Sequence, residues 1–86
     1  MIDAEVRSEE RYSKLSLAYY NESEKMQINN CVDAIIAQYT QQPEIHTTTI
    51  SNGGEVLVIE YHDDVNRESG AIFEQILQEL NIKQCL

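Results

Sequence analysis

Apolar residues recur along this chain in two distinct rhythms. From Ile28 onward they fall three and four positions apart, at Cys31, Val32, Ile35, Ile36 and Tyr39, which marks one face of an α-helix. Asn21, followed three residues later by Glu24, has the form of a capping box with Asn in place of the usual Ser or Thr. Pro43 closes the stretch, because the residue before a proline is pushed out of the helical region. The pattern predicts a helix over residues 22–41, about 30 Å long. A second helical stripe, Val65, Ile72, Phe73, Ile76, Leu77 and Leu80, predicts a helix over 65–82. Asp64 or Asn66 is its expected N-cap. Gly70 inside it is expected to mark either a close backbone approach or fraying.

Between the helices the rhythm shortens. Ile45 to Ile50 is β-branched in five of six positions, Ser51-Asn52-Gly53-Gly54 supplies a tight-turn signal, and Val56 to Ile59 follows as a return strand. A two-residue turn centred on Asn52-Gly53 or Gly53-Gly54 puts His46, Thr48, Ile50, Leu57, Ile59 and Tyr61 on one face. Ile45, Thr47, Thr49, Val56, Val58 and Glu60 then share the other. The first is the expected core face. The second is too apolar for plain solvent. Leu15, Leu17 and Tyr19 alternate with Lys14, Ser16, Ala18 and Tyr20 as in a strand, whereas residues 3–14 are charged enough for a short solvated helix.

These elements define a small α+β domain spanning residues 1–86, with residues 1–11 its least ordered part. The expected architecture is an antiparallel hairpin or three-stranded sheet, covered on one face by two or three helices. The order is β-α-β-β-α or α-α-β-β-α, and in the first the strand holding Val56 to Ile59 is central. Nothing resembles a linker, a low-complexity tract or a repeat.

Charge changes what this domain is expected to do. Against 15 acidic residues there are 6 basic ones, a net charge of -9 over 86 residues. Phosphate backbones and anionic membranes are held mainly by Lys and Arg, so neither is an expected partner. At 42% apolar the chain is not an acidic disordered tail. The acidity is also uneven. Between Lys25 and Arg67 there is no Lys or Arg, while Asp33, Glu44, Glu55, Glu60, Asp63 and Asp64 accumulate. The charged first residues are not a signal peptide and no apolar run approaches a membrane span, which makes the cytoplasm the expected compartment. Cys31 and Cys85 are expected as free thiols, Cys31 as an inert core residue.

No nucleotide-binding, metal-binding or nucleophile motif is present, so no catalytic residue, metal or cofactor is assigned, and so small a core is not expected to hold a deep cleft. His62-Asp63-Asp64 is the most site-like cluster, with helix capping as its plainer role. The two-residue turn sends His46 and His62 to opposite faces, which argues against a site using both. The tyrosines lack the cationic groove of a single-strand binder and suit a protein interface better.

The leading expectation is therefore a non-enzymatic regulator or inhibitor that binds a protein with a basic surface through Glu44, Glu55, Glu60, Asp63 and Asp64. Its sharpest form is a nucleic-acid mimic that blocks a nuclease, a restriction enzyme or a CRISPR effector. The alternative is a homodimeric structural or adaptor module that stacks an apolar outer sheet face through Ile45, Val56, Val58 and Tyr20.

Overall fold

A computed structural model describes residues 2–51, 53–63 and 68–82. The elements run β1 (Asp3–Glu9), β2 (Tyr12–Tyr19), α1 (Glu22–Ile36), β3 (Glu44–Thr49), β4 (Glu55–His62) and α2 (Glu68–Glu79). The protein is an α+β domain built on one four-stranded antiparallel sheet of order β1-β2-β4-β3. As the Val56–Ile59 pattern implied, β4 is interior, between β2 and β3.

The order is β-β-α-β-β-α, so neither expected arrangement of the N-terminus holds. The charged stretch, expected as a short solvated helix, is strand β1, paired with β2 from Asp3↔Ala18 to Glu9↔Tyr12. Its signal is faint but real: Ala4 and Val6 are half-buried against the core while Asp3, Glu5 and Arg7 between them are exposed. A strand at the sheet edge tolerates such charge, because only one of its faces meets the core.

Helix α1 starts where its cap predicts. The Asn21 Oδ1 accepts from the Glu24 backbone N–H at 2.8 Å, and the Glu24 carboxylate accepts from the Tyr20 N–H at 2.9 Å. It ends at Ile36, well before Pro43, as the bonds Gln38 N to Ile35 O and Tyr39 N to Ile36 O tighten the chain into a last three-residue turn. The proposed caps of α2, Asp64 and Asn66, lie outside the described residues, as does Cys85. Cys31 packs half-buried against the core, and burial pushes its thiol pKa up, which keeps it unreactive.

The core lies between the helices and one side of the two central strands. Leu15, Leu17 and Tyr19 of β2 and Leu57, Ile59 and Tyr61 of β4 face Ile28, Val32, Ile35 and Ile36 of α1 and Ile72, Phe73, Ile76 and Leu77 of α2, all buried. The Tyr61 and Phe73 rings meet at a tilt, with centroids 5.7 Å apart, a favoured aromatic geometry. Strand β3 is exposed along its whole length.

The chain is two ββα units in succession, a repeat of pattern that residue identity does not advertise. Leu15-Ser16-Leu17-Ala18-Tyr19 and Leu57-Val58-Ile59-Glu60-Tyr61 share the form Leu-x-(Leu/Ile)-x-Tyr. In the register, Leu15 pairs with Ile59, Leu17 with Leu57, and Ser16 with Val58. An approximate twofold axis through the Ser16–Val58 pair therefore exchanges Leu15 with Leu57, Leu17 with Ile59 and Tyr19 with Tyr61. The helices repeat as well: Ile28, Val32 and Ile36 match Ile72, Ile76 and Leu80 in spacing and burial. The expectation that no repeat exists is thus corrected at the level of topology and core pattern.

The two hairpins differ in their loops. In the second, Ile50 N donates to Gly54 O at 3.0 Å, which closes a three-residue loop over residues 51–53, and Gly53 sits at φ 89°. Such loops characteristically place a glycine in the left-handed region as a bulge. The expected two-residue turn is one residue too short, and in a sheet one residue exchanges the faces. Thus Ile45 pairs with Ile59 on the helix side, while His46 pairs with Val58 on the opposite side. Leu57, Ile59 and Tyr61 keep their expected place in the core, but His46 and Thr48 do not join them.

Two glycines give opposite predictions. A Cβ on Gly54 would lie 2.6 Å from a Tyr20 ring carbon and 2.9 Å from the Tyr19 carbonyl oxygen. The ring can swing away but the carbonyl belongs to the sheet, so Gly54→Ala should destabilise by about 1–3 kcal/mol. A Cβ on Gly70 meets nothing within 4 Å, so no close approach requires that glycine. Gly70→Ala should add about 0.5–1 kcal/mol by its helical preference. Urea unfolding of the two variants beside wild type measures both.

Candidate binding face

Strand alternation gives the sheet two sides, and both helices occupy one. On the other, no described element covers the side chains, and register sets them in rows. Arg7, Lys14, Glu60 and Glu44 form one row across the four strands; Glu5, Ser16, Val58 and His46 form the next; Asp3, Ala18, Val56 and Thr48 a third. At the other end Glu9 pairs with Tyr12 and Tyr12 with His62. The centre is small and half-buried, at Ser16, Ala18, Val56 and Val58, and acids stand around it.

The residues expected to bind a partner are divided by this geometry. Glu44 and Glu60 are direct cross-strand neighbours on the open face. Glu55 belongs to the helix side, where its carboxylate lies 3.8 Å from Lys25 Nζ, a loose and partly exposed pair of little energetic weight. Asp63 follows β4 with a left-handed φ of 54°, and Asp64 lies outside the described residues. Of the proposed oligomer surface, Val56 and Val58 share the open face, Tyr20 sits exposed beside Gly54, and Ile45 is on the helix side because of the loop bulge.

The same bulge assembles a cluster that sequence reasoning placed apart. His46 and His62 stand on one face, with Glu44 and Glu60 between them. His62 Nε2 is 3.4 Å from Glu44 Oε2, and His46 Nδ1 is 3.6 Å from Glu60 Oε1. The Tyr12 hydroxyl donates a short hydrogen bond to Glu60 Oε2, and the Tyr12 ring tilts against the His62 imidazole with centroids 5.2 Å apart. His62 therefore associates with Glu44 across the sheet and stands beside Glu60 of its own strand. What sequence reading missed was one residue of loop length.

This bonding fixes the electrostatics of the pair. The Tyr12 hydrogen bond, with help from His46, His62 and Lys14, outweighs the desolvation that opposes it and holds the Glu60 carboxyl below its ordinary pKa. The same hydrogen bond, then desolvation and the Glu60 charge, raise the Tyr12 phenol.

A groove of about 480 Å³ does lie between β1 and α2, where no cleft was expected. Its lining includes Val6, Ser13, Phe73, Leu77 and Ile82, and Glu74 is its only titratable group among the described residues. Nor, among the described residues, is any helix long and apolar enough to cross a membrane. Compared with protein-family models, with curated proteins and with solved structures, the chain matches none of them.

The Tyr12–Glu60 bond makes stability depend on pH at both ends. Glu60 is lowered in the folded state, so its contribution is present above the ordinary carboxylate pKa and lost as pH falls through the folded value. Tyr12 is raised, so its contribution is present below the ordinary phenol pKa and lost as pH rises through the folded value. Tyr12→Phe should destabilise at neutral pH and flatten the acid limb of the stability profile. Urea midpoints at pH 3, 5 and 7 provide the comparison, and an unchanged acid limb contradicts the assignment.

Proposed function

We propose that this protein is a small non-enzymatic regulator or inhibitor that acts in the cytoplasm by binding a basic protein through the open face of its sheet. The observation that carries the reading is a sheet side that no described element covers, with a small half-apolar centre at Ala18, Val56 and Val58 and a rim holding Asp3, Glu5, Glu9, Glu44 and Glu60. An apolar centre within a polar rim is the usual anatomy of a protein interface. The acidic rim directs association toward cationic partners. Arg7 and Lys14 also stand on this face, but Arg7 is engaged by Glu9 at 2.9 Å, so the field remains negative. In the sharpest form of the reading, the carboxylates take the place of phosphates and the partner is a nuclease or CRISPR effector.

The dimeric alternative is less well supported. Stacking the open face on a second copy would oppose acid to acid, and the apolar patch no longer includes Ile45.

Capture from cell extract by immobilised wild type and by face-specific variants tests the proposal. Val58→Lys with Glu5→Lys should abolish capture of the partner, whereas Glu74→Lys on the exposed side of α2 should retain it. DNA should compete for that partner if the protein is a nucleic-acid mimic. Equal capture by the open-face and helix-face variants would overturn the reading.

A further inference from the structure

We propose that Glu44, Glu60 and His62, with His46 beside them, form a binding site for a divalent transition-metal ion of the Zn²⁺ class on the open face of the sheet. One ligand atom from each of Glu44, Glu60 and His62 lies within 4.8 Å of the others. His46 lies outside this trio, with its Nδ1 3.6 Å from Glu60 Oε1. Donors about 2.0–2.1 Å from a tetrahedral ion are about 3.3–3.4 Å from one another. The His62–Glu44 separation of 3.4 Å already matches that edge. Glu44 and His62 are exposed, so their side chains are free to adjust toward Glu60 around an ion.

The donor set selects the ion. An imidazole with two carboxylates suits Zn²⁺ and its first-row neighbours, whereas Ca²⁺ and Mg²⁺ take oxygen ligands alone. The surroundings are those of ligands held from behind. The Tyr12 hydroxyl occupies Glu60 Oε2 and leaves Oε1 turned toward His46, while the Tyr12 ring supports His62. Outer contacts of this sort orient metal ligands and tune their affinity. The ligands also stand on two adjacent strands, whose pairing fixes their separation.

Two further features separate this cluster from incidental surface charge. Glu44 and Glu60 are direct register partners, and like charges placed opposite one another destabilise a sheet. A divalent cation between them removes that repulsion. In addition, the approximate twofold axis carries Glu60 onto Ala18 and His62 onto Tyr20. The equivalent end of the sheet is built without this chemistry, so the fold itself does not require it.

The site stands independently of partner binding, and its test needs no partner. Zn²⁺ titrated calorimetrically into the full chain carrying Cys31→Ala and Cys85→Ala, which removes thiolate ligands, should bind at one ion per chain. Co²⁺ in its place should give the intense visible absorption of a tetrahedral complex. His62→Ala and Glu60→Gln should each weaken binding at least tenfold, and Glu44→Gln, at an exposed side chain, should do the same if either of the first two fails to fold. No saturable binding below millimolar Zn²⁺, or binding of equal strength in the folded variants, would overturn the proposal.

Discussion

Everything in this domain hangs on the pairing of β2 with β4. That ladder sets Leu15 against Ile59 and Leu17 against Leu57, joining segments separated by a helix and a further strand. Closing so long a loop is entropically costly, and the cost is met only when the apolar side of the paired strands is covered. Both helices do this. A shift of one residue between the central strands would turn Leu15, Leu17, Leu57 and Ile59 toward solvent at a stroke. The inner face is thus specified strongly. The outer face follows from it by alternation, whatever residues happen to stand there.

That asymmetry explains what was legible in the sequence. The start of α1, strand β2, the interior position of β4 and nearly all of the buried aliphatic residues follow from apolar periodicity, because burial is what periodicity records. Strand β1 was obscured because its apolar half consists of small Ala4 and Val6 amid charge, a signal weaker than the solvated-helix pattern competing with it. The faces of β3 were misread because register there depends on loop length. Ser51-Asn52-Gly53-Gly54 is compatible with either two or three loop residues, and composition does not decide between them. Since β3 is exposed on both sides, no buried stripe was present to correct the count. The Glu–His cluster was hidden for the same reason: its members lie on strands whose relative alignment was wrong by one.

The division of labour between the two sides also accounts for the composition. All the large buried aliphatic groups are placed on one surface of the sheet, so the other is free to hold carboxylates, imidazoles and small residues. Glu60 shows how such a face becomes organised nonetheless. It is held by a tyrosine from the neighbouring strand and flanked by two histidines, and its charge is favoured by all of them. The face is thus dispensable for the core yet bonded internally.

The twofold relation between the ββα halves has a consequence for how the protein holds together. Two separate ββα chains that paired β2 with its own counterpart would build this same sheet, with the β2–β4 ladder as their mutual contact. Their stability would then rise and fall with concentration. Here residues 37–43 tether the second half to the first, which replaces a bimolecular encounter by an internal one at an effective concentration on the order of millimolar. The tether also releases the halves from identity. One end of the sheet can carry Ala18 and Tyr20 while the other carries Glu60 and His62, a polarity that a pair of identical subunits cannot acquire.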